Sequence, residues 1–351
     1  MADAFIVDLC RRVADAAAAK RALRIRGGGS KDFYGARLEG DACEIGAYSG
    51  IIAYEPKELV LTVRAGTPLA EVEAALASER QMLPFEPPHF GRATIGGVVA
   101  TGLSGPRRPY AGAVRDFVLG TRIVNGKGED LAFGGRVIKN VAGYDVSRLM
   151  SGALGTLGVI TEISFKVLPR PPGEATLAFE LPQADAIVSL NHWAGQPLPL
   201  SASAWQDGVL RVRLSGAQTA IDAAKVKMGG EEVADASSWW SDLREHRLAF
   251  FAESVPLWRL SVPQTCEPLA LTHPQLLEWG GGLRWVSGEF DALTVRSSVE
   301  RAGGHATLFR GGDKSIGVFH PLQAPLLKIH RRLKAAFDPA GILNPGRMYD
   351  F

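Results

Sequence analysis

Thr94-Ile95-Gly96-Gly97-Val98-Val99-Ala100-Thr101-Gly102-Leu103-Ser104-Gly105, taken with the earlier run Arg26-Gly27-Gly28-Gly29-Ser30, decides how this chain is read. Each run sets adjacent glycines at the edge of an apolar stretch, which predicts two turns with bare main-chain N–H groups. Glycine tolerates positive φ and lets a ligand reach the backbone with no Cβ in the way. Successive N–H groups in such turns form concavities that bind anions without a counter-charge. A phosphate-bearing cofactor is the first expectation.

Around these runs the pattern alternates between helix and strand. Residues 4–20 keep a helical apolar spacing, Ala22 to Arg26 alternates as a strand into the first glycines, and residues 58–66 read as a longer strand. Thr67-Pro68-Leu69-Ala70-Glu71 predicts a helix start with Thr67 as N-cap and Pro68 in the first helical position. Phe117 to Val124 followed by Asn125-Gly126 predicts a hairpin, and residues 158–168 predict a strand ended by Pro169, Pro171 and Pro172. That proline cluster marks the expected domain boundary. Beyond it, strands at 176–181 and 209–214 alternate with helices at 183–193 and 218–228, an open α+β order with a second pass between Leu257 and Phe309. Residues 325–337 read as a basic amphipathic helix.

Composition narrows the function. The chain has 351 residues and a formal charge of +2, so no basic stripe argues for nucleic acid. Cys10, Cys43 and Cys266 lie far apart and signal neither a disulfide framework nor a zinc or iron–sulfur site. A reducing cytosol is the expected home. No apolar run approaches the ~20 residues that span a bilayer.

Other chemistries fail on their spacing. Gly120 to Lys127 resembles a nucleotide P-loop, but Gly128 stands where the magnesium-holding Ser or Thr belongs. Gly27-Gly28-Gly29 is not G-x-G-x-x-G, which disfavours a dinucleotide fold of the Rossmann kind. There is no G-x-S-x-G elbow, and the seven histidines show no metal-binding spacing. His89 and His320, both in turn-rich segments, are the histidines placed nearest a site. No metal site is expected.

From Ile25 to Leu168 the chain resembles the FAD-linked oxidases of the vanillyl-alcohol oxidase and para-cresol methylhydroxylase (PCMH) type. The matching segments stand in family order: residues 26–30, 63–69, 94–105, 112–120, 139–145 and 152–162, with 338–346 similar to the family's closing segment. The resemblance implies an α+β fold: a two-subdomain PCMH-type FAD-binding domain (residues 1–170), an α+β cap domain (171–324), and a C-terminal segment (325–351) returning to the FAD domain. It implies that Arg26, Gly27, Gly28, Gly29 and Ser30 wrap the FAD pyrophosphate, met by Thr94, Ile95, Gly96, Gly97 and Ala100 from the second subdomain. Gly102, Ser104 and Gly105 continue toward the flavin. Gly112, Asp116, Gly155, Gly158, Val159 and Ile160 support the remaining cofactor, and Asn344 closes over the flavin side.

Ser30 stands where many relatives carry the histidine that bonds covalently to FAD, so the cofactor is expected to be noncovalent. The metal-binding histidine cluster of the family's 2-hydroxy-acid dehydrogenases is not visible, and no catalytic residue is assigned. Compact length and the segments 26–35, 105–108 and 138–145 look like a shorter branch, the FAD-binding E subunits of glycolate oxidase. That branch implies a complex with a larger homologous flavoprotein D subunit and an iron–sulfur F subunit, oxidising glycolate, a small 2-hydroxy acid, to glyoxylate. The D subunit is expected to supply the base, and any contact with the inner membrane is expected through the partners. A stand-alone FAD oxidoreductase of another 2-hydroxy acid or alcohol, a structural subunit without catalysis, and a UDP-sugar reductase of the same superfold are the rival readings. Arg107, Arg108, Lys139 and Arg347 are the cations that could face a carboxylate or the flavin, and Tyr144 lies in the same family-like segment as Lys139.

Overall fold

The computed structural model describes residues 3–135, 145–252 and 255–350. Helix α1 (Ala4–Ala18) starts at Asp3, whose carboxylate accepts the Phe5 N–H at 3.1 Å. Ile6, Leu9, Val13 and Ala16 fall on one side of α1 and are buried, as a spacing of three and four requires. β1 (Leu23–Arg26) pairs in parallel with β2 (Asp41–Glu44), and the first glycine run forms the turn leaving β1. In chain order there follow β3 (Ile51–Glu55), β4 (Val60–Arg64), α2 (Leu69–Ser78), β5 (Gln81–Met82), α3 (Ile95–Thr101), α4 (Arg108–Ala111), α5 (Val114–Phe117), β6 (Val118–Val124), β7 (Asp130–Gly134), α6 (Val146–Leu149), β8 (Val159–Lys166) and β9 (Leu168–Pro169).

The strands of this half build a five-stranded antiparallel sheet, β3-β4-β8-β6-β7. β8 is central, with Ile163 opposite Val63 on one side and Thr121 on the other. Being covered on both faces, it is almost continuously buried rather than alternating.

Two local expectations are corrected. Gly96 and Gly97 form no turn: they are the second and third residues of α3, whose N-cap is Thr94. Thr67 does not cap α2, because its hydroxyl is used in donating to Arg64 O at 2.7 Å and accepting the Gly50 N–H at 2.9 Å; Pro68 precedes the helix instead. The expected hairpin forms, with β6 antiparallel to β7. Asn125 Oδ1 accepts the N–H groups of Lys127 and Glu129, widening the loop to residues 125–129.

The second half adds β10 (Gly173–Glu180), α7 (Gln183–Ala194), β11 (Leu200–Gln206), β12 (Val209–Gly216), α8 (Gln218–Met228), β13 (Glu231–Glu232), α9 (Ala236–Arg244), β14 (Leu257–Ser261), β15 (Gln275–Glu278), β16 (Leu283–Ser287), α10 (Ala292–Arg301), β17 (His305–Arg310) and α11 (Ala324–Phe337). Both passes join one eight-stranded antiparallel sheet, β13-β10-β12-β11-β15-β16-β14-β17. Period-two alternation sorts its side chains. Trp258, Leu260, Val286, Ala306 and Leu308 pack against Val295 and Val299 of α10. Leu257, Leu283, Trp285 and Phe309 face the other way, toward Tyr34, Leu103 and Leu154 of the first half.

After α11 the chain returns to β1. Leu23 N–H donates to Ile342 O at 2.7 Å and Asn344 N–H to Leu23 O at 2.9 Å, adding a parallel bridge between Leu23 and Leu343. Ile342 and Leu343 are buried, each stabilising the return by about 1.5–3 kcal/mol. The buried Asp338 carboxylate accepts their N–H groups and pairs with Lys334 at 2.6 Å. The tail is thereby fixed beside the first glycine run.

Candidate functional site

A cleft opens between the turn after β1, the face of α3, the loop before β8 and the returning tail. Five successive N–H groups, Gly27 to Lys31, have no hydrogen-bond partner among the described residues. Backbone donors left unpaired are costly unless something else accepts from them, so this turn is short of an acceptor.

The glycines there serve packing as well as access. A Cβ on Gly28 would sit 1.6 Å from Arg92 O, and one on Gly27 would sit 2.3 Å from Thr94 Oγ1. The turn is thus pressed against residues 92–94, leaving its N–H groups to the cleft. α3 offers less: Ile95 and Gly96 N–H already donate to Thr67 O and Ala65 O, and Gly97 N–H to Thr94 Oγ1. A Cβ on Gly97 would meet nothing closer than Thr94 Oγ1 at 3.4 Å, so this position is bare toward the cleft.

The tail closes the cleft through Asn344. Its Oδ1 accepts the Ile25 N–H at 2.8 Å and its Nδ2 donates to Leu154 O at 2.6 Å, joining β1 to the loop before β8. Asn344 holds φ at +42°, a conformation asparagine tolerates better than most residues. Arg347 donates to the carbonyls of Lys31, Asp32, Ala36 and Arg37, bracing the segment that follows the glycine turn. Lys31 donates to His89 O at 3.1 Å, and burial lowers its pKa to about 8 against the opposing pull of Glu245.

Of the residues expected to hold the cofactor, Arg26, Gly27, Gly28, Gly29, Ser30, Thr94, Gly96, Gly97, Ala100, Gly155, Gly158, Ile160 and Asn344 line this cleft together. The others do not. Ile95 and Val159 are buried in the core of the first half. Gly102 ends α3 in the left-handed conformation at φ +63°. Ser104 and Gly105 line a separate void, Gly112 ends α4, and Asp116 accepts the Ala113 N–H at 2.8 Å at the start of α5. Lys139 and Tyr144 lie outside the described residues.

The separate void, a narrow one of about 20 Å³, lies between Ser104–Gly105 and the sheet of the second half. His246, Arg259, Glu278 and Trp285 line it, together with Phe90 and Phe309. Burial raises the Glu278 carboxyl to a pKa of about 7, although Trp285 Nε1 donates to its Oε1 at 2.7 Å. Burial, aided by Arg310 and Arg259, lowers His246 to about 3, and its Nδ1 is buried with no partner. His246 and Trp279 also hold positive φ, +53° and +56°. Such backbone strain in bulky residues persists where surrounding structure enforces it, often at functional sites.

Sequence reasoning missed this group. It favoured His89 and His320, whose Nε2 atoms instead pair with Glu73 at 2.8 Å and Glu300 at 2.9 Å. Arg107 is likewise committed, to Glu86 and Glu174, whereas Arg108 has its guanidinium 4.3 Å from the Trp279 ring with no carboxylate at ion-pair distance among the described residues. No cluster of His, Cys, Asp or Glu suited to a metal occurs among the described residues.

Residues 6–134 match the FAD binding domain family, and residues 321–348 match the C-terminal domain of FAD linked oxidases. The glycolate oxidase subunit GlcE of Escherichia coli K12 is 49% identical over 342 residues, covering 97% of this chain and 96% of that protein. The chain belongs to the FAD-linked oxidases, in the GlcE family. The glycolate oxidase subunit GlcD of Bacillus subtilis is 35% identical, over only 36% of this chain and 27% of its own. Among solved structures, alkyldihydroxyacetonephosphate synthase covers 96% of this chain and 75% of its own with a TM-score of 0.66 at 16% identity, a likeness of fold. This GlcE-family chain therefore carries an FAD-binding domain of the PCMH type. Its unpaired N–H run suits the cofactor's anionic pyrophosphate.

Proposed function

We propose that this chain is the FAD-binding subunit of a glycolate-oxidising complex, converting glycolate to glyoxylate together with a larger flavoprotein D subunit and an iron–sulfur F subunit. The observation that carries the reading is the unpaired N–H run at the cleft in a chain related over nearly its whole length to GlcE. Bound FAD supplies a two-electron acceptor; binding and orientation fall to the protein. Gly27 to Lys31 hold the pyrophosphate through main-chain donors, Gly97 leaves room for it, and Asn344 keeps the tail across the opening. Residues 1–170 form the cofactor unit, 171–324 the cap and 325–351 the returning segment.

The cofactor is held noncovalently, since the described lining contains no histidine, cysteine or tyrosine to form a bond to it. Electrons leave through a partner because the three cysteines are too scattered to ligate a cluster. No described helix is long and apolar enough to cross a membrane; in this reading the chain works on the cytoplasmic side and membrane contact belongs to the partners. The test is co-purification of the tagged chain with its D- and F-type neighbours, followed by acid precipitation. A three-chain complex whose flavin passes into the acid supernatant is expected. A chain that purifies alone from cells expressing all three, or flavin that stays in the pellet, contradicts the reading.

A further inference from the structure

Helix α11 has the apolar stripe of a packed helix and is covered along only part of it. Leu326, Ile329, Leu333 and Phe337 recur at spacings of three and four, as the core residues of α1 do. In α1 the residues at such spacings, Ile6, Leu9, Val13 and Ala16, are buried; in α11 no residue is. The C-terminal end is anchored. Leu333 and Phe337 pack on the core of the first half, and Lys334 donates to Thr156 O and Leu343 O, each at 2.8 Å. The first two turns are left open: Leu326 is 49% exposed and Ile329 52%. Neighbouring exposed aliphatic side chains at the spacing of a helix stripe are a surface that a partner can cover.

Charge decides what covers them. Between Asp313 and Asp338 the chain has no acidic residue, while α11 carries Lys328, Arg331, Arg332 and Lys334. Lys334 is paired with Asp338, but Lys328 and Arg332 are exposed and have no ion-pair partner among the described residues. Leu326, Ile329 and Leu333 stand at i, i+3 and i+7, the anchor spacing of a helix laid into a protein groove. Two exposed aliphatic side chains make too small an apolar face to hold a helix in a bilayer interface. A second copy of the same face would set cation against cation, which opposes self-pairing.

We propose that the first two turns of α11 dock on a partner subunit, in an apolar groove rimmed by carboxylates. The groove takes Leu326 and Ile329, and the carboxylates face Lys328 and Arg332. This rests on the reading of the chain as one subunit of a glycolate-oxidising complex. Helix α11 runs through Asp338, which accepts the Leu343 N–H at 2.8 Å, to Asn344, so the partner would seat on the element that closes the cofactor cleft.

The test uses the flavin-loaded full chain, titrated by interferometry against its purified D- and F-type neighbours at low and high ionic strength. Ile329→Asp and the double reversal Lys328→Glu with Arg332→Glu are compared with the unsubstituted chain. All three side chains are exposed, so flavin content and thermal midpoint are expected to stay unchanged. Ile329→Asp is expected to weaken capture ~30-fold or more. The double reversal is expected to weaken it ~10-fold or more at low salt, with most of that difference lost at high salt. Capture within about threefold of the unsubstituted chain in either variant overturns the proposal and leaves the complex standing. An unsubstituted chain that captures neither neighbour overturns the proposal and the glycolate-oxidising reading together. If Ile329→Asp fails to fold, Ile329→Ser replaces it, with a loss of ~10-fold expected and unchanged capture again overturning the proposal. The free chain is also tested on phosphatidylglycerol vesicles and by light scattering. Vesicle binding or dimerisation that the same substitutions abolish would assign the face to lipid or to a second copy and overturn the proposal.

Discussion

The cleft after β1 and the void beneath the second sheet are lined by different materials. The cleft presents main-chain donors from one continuous run, Gly27 to Lys31. The void presents side chains, Arg259, His246 and Glu278, drawn from separate parts of the second half. Main-chain sites demand glycine at fixed local spacing and leave a mark in sequence. Side-chain sites assembled by a sheet leave single residues, more than ten positions apart, that look like any others.

The sharpest way to break the comparison is to fill the backbone site. Gly28→Val would drive a Cβ into Arg92 O, so the turn must move; loss of all bound flavin and a destabilisation of roughly 4 kcal/mol or more is expected, read by flavin content and denaturant unfolding. A folded, yellow variant would mean the turn is not the binding surface.

The void should instead respond to pH. Glu278 is raised to about 7 in the folded chain, above the value near 4.5 of a free carboxyl. Its protonated form therefore contributes stability that is complete below pH 4.5 and is lost as pH rises through 7. Glu278→Gln cannot ionise, so the variant should gain roughly 3 kcal/mol on the unsubstituted chain between pH 4.5 and pH 8. Parallel stability curves over that range would place the carboxyl in a wetter site. His246 works in the opposite sense: with its pKa depressed to about 3, its contribution is present above pH 6.5 and fades as pH falls toward 3.

The smallest effect separates the two walls of the cleft. Gly97→Ala adds a methyl that meets only Thr94 Oγ1 at 3.4 Å and sits in a helix, so folding should improve by about 0.5–1 kcal/mol while FAD affinity falls. Equal or tighter FAD binding would move the cofactor away from α3.

Much of the first half was legible in sequence because its elements carry local signals. The stripe of α1, the continuous burial of β8 and the glycine run all sit within a few residues of their cause. Gly96-Gly97 misled because a glycine pair reads as a turn, whereas Thr94 capping and the packing of Gly96 against Ala65 hold it in a helix. Thr67 misled for a similar reason: a hydroxyl suited to a cap was taken by the β3–β4 strand ends. The roles of Arg259 and Glu278 could not be read from spacing, since each depends on the register that sets Arg259 against Trp285 and on burial by Tyr34 and Phe309. Positive φ at His246 and Trp279 appears only in three dimensions.

The central claim is that this chain by itself holds FAD in the cleft lined by Gly27 to Lys31. Titrating FAD into the purified, flavin-free chain tests it most directly, with binding followed by flavin fluorescence and repeated on Gly28→Val. The account predicts saturation at one FAD per chain, full release by acid, and no binding by the variant. No saturation in the unsubstituted chain, or equal binding by Gly28→Val, would contradict it.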